Sequence, residues 1–183
     1  AVDFLMWVVT GISTGLTQGF SIQLSQYYGA KDFENLRKSL AHSYRLTAFI
    51  AAGVLILSQS FASLVLTGLH TPSNIIGMSL LYLRIIFCGI PATAAYNMFA
   101  SALRAMGNSK TPLTAMIIAS VLNVSLDILF VAGFGWGVAG AAIATVIAQS
   151  FSAVYCFLIL RRIDIVHLTR ADFMPASGMN ACL

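Results

Sequence analysis

The fifty residues between Lys110 and Arg161 carry a single charged side chain, Asp127. A run of this length with almost no charge can form two membrane-spanning helices of about 20 residues each. A carboxylate inside such a helix costs free energy, so it usually faces a partner or a water-filled path. Asp127 is therefore predicted to be a functional residue of an integral membrane protein. The alternative is that it lies close enough to a helix end to reach the lipid headgroups.

The composition favours the same class of protein. Hydrophobic residues form 58% of the chain, charged residues form 9%, and the mean hydropathy is +0.87. Soluble domains carry about 25% charged residues. The net charge of +4 does not indicate a nucleic-acid partner, because the basic residues lie in short segments between apolar runs, where membrane topology places them. We therefore expect the lipid bilayer, and no nucleic acid, as a partner.

Sequence patterns of enzymes and cofactor sites are absent or lack their context. No Ser-His-Asp, Cys-His or paired-carboxylate arrangement is found, and the histidines and cysteines lack metal-ligand spacing. The glycine-rich segment 135–140 matches the dinucleotide fingerprint by letter. That fingerprint needs a short preceding strand and a nearby acid, whereas here the nearest downstream acid, Asp164, lies beyond a whole apolar run. We expect neither an enzyme nor a resident cofactor.

The apolar runs predict an all-α fold, a polytopic bundle of about five transmembrane helices within residues 1–160. Residues 161–183 are predicted to form a cytoplasmic linker or tail. The polar and charged segment 29–45 is predicted to form a short interfacial helix before the second span. The five predicted spans, A to E in chain order, cover about 4–26, 46–68, 75–101, 111–132 and 138–160.

The positive charges predict the orientation of these spans. The connections A–B and C–D and the tail after E hold nine Lys and Arg residues, and the connections B–C and D–E hold none. Basic loops stay in the cytoplasm, so we expect a multi-pass protein of the plasma or inner membrane. Its loops 29–45 and 104–110 and its C-terminus would be cytoplasmic. Span A would then begin outside without a signal peptide, which predicts that an upstream helix is missing.

A candidate cation or proton site lies on spans D and E. Asn123 and Asp127 are four residues apart and share one helix face. Asp127 should lie about 9 Å, and Thr145 about 10 Å, from the outer turn between the two spans. The same reasoning places Asn123 and Gln149 together, one turn deeper. Oxygen ligands of this kind suit a proton or a small hard cation such as Na⁺. The alternative is that these polar groups only hold helices together.

Three further residues inside the spans are candidates for lining a cavity. Gln18 lies among closely spaced glycines of span A, where tight helix packing is the alternative interpretation. Arg84 lies within span C and either extends to the membrane surface or pairs within the bundle. Pro91 should kink span C, and the kink either exposes a carbonyl to a cavity or is purely structural.

Short motifs along the chain resemble the multidrug and toxic compound extrusion (MATE) transporters. Each motif is weak alone, but their order and spacing are specific over about residues 1–173. They are Ser25-Gln26-Tyr27-Tyr28-Gly29-Ala30-Lys31-Asp32, Tyr82-Leu83-Arg84-Ile85 with Gly89-Ile90-Pro91, Leu103-Arg104-Ala105-Met106-Gly107-Asn108 with Pro112, Asn123 with Leu126-Asp127, and Gly137-Val138-Ala139-Gly140-Ala141-Ala142 with Ala144-Thr145.

The resemblance implies two bundles of six helices and the export of cationic and amphipathic compounds in exchange for H⁺ or Na⁺. Spans A to E would match helices two to six, so the first helix and the C-terminal bundle would be missing partners. The family's cation site carries over onto Asn123, Asp127 and Thr145. Two alternatives remain: a related flippase for lipid-linked precursors, which predicts a cationic groove, and a membrane scaffold that transports nothing.

Overall fold

A computed structural model describes most of the chain as a bundle of helices. The helical segment 19–29 (α1) is followed by five longer helices and one π-helical segment. The described residues contain no β-strand, so the predicted all-α fold class is confirmed. The described residues are Gly11, Gly15, 19–68 and 76–163.

Four helical segments of the described part are long and apolar enough to cross a membrane. They overlap the predicted spans B to E, whereas most of span A and all of the tail after residue 163 lie outside the described residues. The helices that form them are α2 (Phe33–Gly68), α3 (Ile76–Cys88), α4 (Ile90–Ala105), α5 (Lys110–Asp127) with the π-helix Ile128–Gly133, and α6 (Gly137–Arg161).

The helix α2 begins at a side-chain cap. The Asp32 carboxylate accepts hydrogen bonds from the Asn35 backbone N–H at 3.2 Å and from its side-chain amide at 2.6 Å. These bonds satisfy a backbone donor that the first turn would otherwise leave without a partner. They also hold the pKa of the Asp32 carboxyl below its usual range, because Asn35 donates to the charged form.

The expectation of a separate interfacial helix over residues 29–45 is wrong. From its cap onward, α2 runs without interruption through 36 residues. Leu36 and Leu40, four residues apart, are both buried, so the buried face of the polar first turns continues into the apolar span. No proline interrupts this segment, and nothing in the sequence forces a bend between its charged and apolar parts.

The predicted kink in span C is a complete break between α3 and α4. It falls at Gly89, whose N–H donates to the Ile86 carbonyl at 2.8 Å, three residues back. Pro91 lies in the first turn of α4, where its missing N–H costs little. A side-chain carbon on Gly89 would lie 2.9 Å from the Val146 side chain of α6. The break therefore brings the backbone of this span directly against α6.

The helix α6 is central to the bundle and contacts α3, α4 and α5, while α2 packs on α3 and α4. At the end with the basic residues, buried side chains of α2, α4 and α6 meet, including Leu36, Leu103 and Leu160. Much of the remaining apolar surface is exposed; the Phe49 side chain, for example, is 77% exposed. Such surface is expected of helices whose surroundings are lipid rather than water.

Candidate cation-binding site

The site is built on the antiparallel helices α5 and α6. The side-chain amide of Asn123 donates a hydrogen bond to the Thr145 hydroxyl at 3.4 Å. The same hydroxyl donates to the Ala141 carbonyl of its own helix at 3.0 Å. Thr145 is therefore oriented by its helix, and its oxygen faces α5. The structure thus joins two of the three predicted site residues.

Asp127, the third predicted residue, lies one helical turn from Asn123 and is half-buried. Its Oδ1 atom is shielded from solvent and has no hydrogen-bond partner among the described residues. Nor does Asp127 form an ion pair within the described part of the chain, whereas Lys38 and Glu34 pair at the surface. An unpaired buried carboxylate oxygen is costly, so a proton or a cation bound here would lower the free energy of the site.

Asp127 occupies the last position of α5, directly before the π-helix Ile128–Gly133. Short π-helical segments widen the helix locally and are frequent at functional sites. Here the segment also changes the register between the two helices. Regular α-helical rise predicted Thr145 beside Asp127 and Gln149 beside Asn123. Because the wider turns shorten the outer end of this span, the hydrogen bond instead joins Thr145 to Asn123.

Gln149 pairs with a third helix. Its side-chain oxygen accepts a hydrogen bond from the hydroxyl of Thr93 on α4, and Thr93 also lies within hydrogen-bond distance of the Gly89 carbonyl, at 3.2 Å. A hydroxyl has one proton, so Thr93 donates to only one of these two oxygens at a time. Both bonds form together only if the amide group of Gln149 donates to the Thr93 hydroxyl. The group of polar side chains on α5 and α6 thus continues through Thr93 of α4 to the backbone at the break between α3 and α4.

A polar cavity of about 220 Å³ lies between α4, α5 and α6. Its volume is enough for several water molecules. Met116 and small alanine side chains complete its walls, whereas Asp127 lies outside them, one turn away. The polar side chains that line the cavity are those of Tyr96, Ser120, Asn123, Thr145, Gln149 and Ser152.

The other candidates for cavity lining have different surroundings. The side chain of Arg84 is exposed on α3, and its carbonyl accepts a hydrogen bond from Gln59 at 3.0 Å. Pro91 lines an apolar groove between α2 and α4 instead. Neither residue lines the polar cavity between α4, α5 and α6, and the exposed side chain of Arg84 corresponds to the alternative of extending outward. Gln18 lies outside the described residues.

Sequence reasoning missed Thr93, Tyr96, Ser120 and Ser152. For Ser152 a signal was present, since Thr145, Gln149 and Ser152 have the spacing of one helical face. Ser120 precedes Asn123 by three residues and lies on the face of α5 that the site uses. Thr93 and Tyr96 gave no such signal, because only the packing of α4 against α6 brings them to the cavity.

The described residues contain no group of three or more His, Cys, Asp or Glu side chains that could share a metal ion. A transition-metal centre would need such a group. The donors present here are one carboxylate, amide oxygens and hydroxyls. This set suits a proton or an alkali cation, since hard cations take oxygen ligands.

Comparison with known proteins places the chain beside multidrug transporters. The MatE family profile matches residues 1–129. Over 160 residues the chain is 32% identical to the probable multidrug resistance protein YoeA of Bacillus subtilis. This alignment covers 85% of this chain and 34% of that protein. It is 23% identical over 171 residues to the multidrug export protein MepA of Staphylococcus saprophyticus, covering 92% of this chain and 38% of the relative.

Solved structures show the same fold. A crystal structure of MATE in the bent conformation superimposes with a TM-score of 0.89 at 24% identity, covering 96% of this chain and 40% of the other. An inward-facing MATE transporter of the MOP superfamily gives a TM-score of 0.88 over 94% of this chain and 40% of its own. The chain spans about a third of the length of the curated relatives that it matches.

Proposed function

Because the chain belongs to the MatE family of multidrug efflux transporters, we propose that it forms part of an antiporter exporting cationic or amphipathic compounds. The driving ion would be H⁺ or Na⁺. The family consists of multi-pass membrane transporters rather than enzymes, and four apolar helices of the described part are consistent with that. The observation that carries the proposal is the buried Oδ1 of Asp127, unpaired within the described residues and one turn from the Asn123–Thr145 pair.

The proposed coupling is a competition between a proton and a cation for this carboxylate. Asp127 favours binding of either ligand, because each one gives the buried Oδ1 atom the partner that it lacks among the described residues. A protonated Asp127 can donate a hydrogen bond, whereas the ionised form only accepts. The two ligands therefore favour different side-chain arrangements. Such a difference in affinity between two conformations is what allows an ion to shift their populations.

The flippase alternative predicts a cationic groove, and the structure does not favour it. Arg84 is the one basic residue well inside the predicted spans, and its side chain points to the surface of α3 rather than into the cavity. In the scaffold alternative, Asp127 would join helices through a hydrogen bond or an ion pair, as helix-joining polar groups do. The free carboxylate oxygen of Asp127 fits a binding site better.

A vesicle experiment tests this function. We expect a transporter that contains this segment to move a cationic dye against an opposing gradient of H⁺ or Na⁺. Thr145→Val should weaken the dependence on the driving ion about tenfold, because it removes the partner of Asn123 and one ligand oxygen. Thr114→Val is the matched control, since that exposed hydroxyl bonds only to the Lys110 carbonyl of its own helix. Dye transport that needs neither ion, or an unchanged ion dependence in Thr145→Val, contradicts the proposal.

We further propose the orientation that the basic residues indicate. The starts of α2 and α5 and the ends of α4 and α6 would face the cytoplasm. In a background without native cysteines, Asn35→Cys and Asn108→Cys should react only with reagents that enter the cell. Phe134→Cys, in the exposed turn before α6, should react from outside. Labelling of position 35 or 108 by an impermeant reagent in intact cells would reverse this topology.

We also propose that the segment works with further helices, a first helix and a second bundle. The support is the length of the relatives, of which this chain spans about a third.

A further inference from the structure

An apolar groove of about 410 Å³ runs along the surface between α2 and α4. Five of its twelve lining residues are alanines of the two helices, which we call its floor, and their small side chains leave a channel between larger neighbours. The hydroxyls of Tyr44 and Thr47 are the only polar side-chain groups in its lining. We name this feature the α2–α4 groove and define it by the floor residues Ala48, Ala51, Ala52, Ala94 and Ala95.

The dimensions of the groove suit a single extended hydrocarbon chain. From Tyr44 to Leu55 it follows α2 for about 16 Å, which is close to half the thickness of the hydrocarbon core and hence to one leaflet. Over that length the lining is apolar apart from the hydroxyls of Tyr44 and Thr47, as contact with a hydrocarbon chain requires.

One end of the groove is built from aromatic rings and a cation. Tyr44 meets Phe99 edge to face at 5.5 Å between ring centroids, and Phe99 meets Phe157 at 5.3 Å. The guanidinium of Arg161 lies over the Phe157 ring, 5.7 Å from its centroid. Arg161 is exposed and lies about 6 Å further along α6 than Phe157. Aromatic rings followed by a basic side chain are typical of the membrane–water interface.

From this combination we propose that the α2–α4 groove binds one anionic glycerophospholipid of the leaflet at the Arg161 end. One acyl chain lies on the alanine floor, with its terminus near Leu55 and Pro91. The phosphate lies beside Arg161, whose planar guanidinium suits phosphate oxygens. An empty apolar channel would forfeit the dispersion contacts of its lining, and acyl chains are the apolar matter available at that depth.

Photolabelling tests the proposal. The chain, and a longer transporter that contains it, are placed in phosphatidylcholine nanodiscs with a minor fraction of phosphatidylglycerol. The phosphatidylglycerol carries a photoreactive group at the end of one acyl chain. We expect labels on the peptides of Leu55 and Pro91 in both proteins. Unlabelled phosphatidylglycerol should compete about fivefold better than phosphatidylcholine, the expected effect of one basic side chain at an anionic lipid surface.

Matched variants separate the acyl site from the headgroup site. Ala48→Trp fills the channel and should remove most labelling, whereas Leu57→Trp, on an exposed part of α2 outside the groove, should leave it unchanged. Arg161→Gln should abolish the preference for phosphatidylglycerol, while the neighbouring Arg162→Gln should retain it. If the Ala48→Trp protein does not fold, Ala48→Leu replaces it. The circular dichroism signal of the helices shows whether each variant is folded.

Three results would overturn the proposal. One is equal labelling of the groove in the wild type and in a folded variant with a filled channel. Another is equal competition by the two lipids. The third is labelling that occurs in the isolated chain but not in the longer transporter, which would show that protein rather than lipid covers the groove. None of these results depends on whether Asp127 couples ions, so the lipid site and the proposed function are tested separately.

Discussion

Replacing Asp127 by Asn is expected to abolish ion-coupled efflux in a reconstituted transporter that contains this segment. Asn has nearly the same shape, but it cannot carry the negative charge that attracts a cation or a proton. Affinity for the driving ion should fall about 10- to 100-fold, the effect of losing a charged ligand. The measurement is dye efflux driven by a defined H⁺ or Na⁺ gradient in proteoliposomes.

The same substitution should leave membrane insertion and thermal stability intact, or raise stability. The Oδ1 of Asp127 has no partner to lose within the described residues, and replacing a carboxylate that has a shielded, unpaired oxygen by a neutral amide lowers the cost of desolvation. If the carboxylate instead held helices together, stability and transport would fall in parallel. Ser125→Ala is the control on the same helix, because that exposed hydroxyl bonds only to the Val121 carbonyl. Coupled transport at the wild-type rate in Asp127→Asn would contradict the ion-site assignment.

Gly89→Ala is expected to destabilise the bundle by about 1–3 kcal/mol, the usual cost of overpacking. Its new methyl group would lie 2.9 Å from Val146 Cγ2 and 3.0 Å from the Ile86 carbonyl oxygen. The side chain can shift, but the carbonyl belongs to the backbone at the break between α3 and α4. The measurement is the midpoint of thermal unfolding in detergent, with Gly53→Ala as control, because nothing lies within 4 Å of a side-chain carbon there.

A second substitution tests the cause of this loss. Val146→Ala removes the atom at 2.9 Å and leaves the carbonyl at 3.0 Å. The double variant Gly89→Ala with Val146→Ala should therefore recover part of the stability and not all of it, after subtraction of the effect of Val146→Ala alone. Gly53→Ala should be neutral or stabilising by about 0.5–1 kcal/mol, since alanine favours a helix over glycine. Equal stability of Gly89→Ala and Gly53→Ala would show that α6 yields at this contact.

The candidate site residues on α5 could be selected from the sequence because local rules apply to them. Asn123 and Asp127 share a face in any α-helix, and a carboxylate in a run without other charges is costly wherever that run packs. The short motifs carried the resemblance to the MATE family, which the family profile and the relatives confirm. The approximate positions of the apolar helices also follow from the sequence, since bilayer thickness sets their length.

Only the tertiary structure decided which residues meet. The π-helix after Asp127 shifts the register of α5 against α6, so that Thr145 bonds to Asn123. No local pattern predicts where a helix widens by one residue. Thr93 reached Gln149 across 56 positions of sequence because the break at Gly89 lets α4 approach α6. The α2–α4 groove likewise arises from the way two helices cross. The sequence alone determined that the helices lie in lipid, roughly where they lie, and that placing the Asp127 carboxylate among them costs free energy. Each of these depends only on hydrophobicity and local spacing. The register between neighbouring helices and the distance between them depend on side-chain packing between distant segments. The order of residues along one helix does not contain that information.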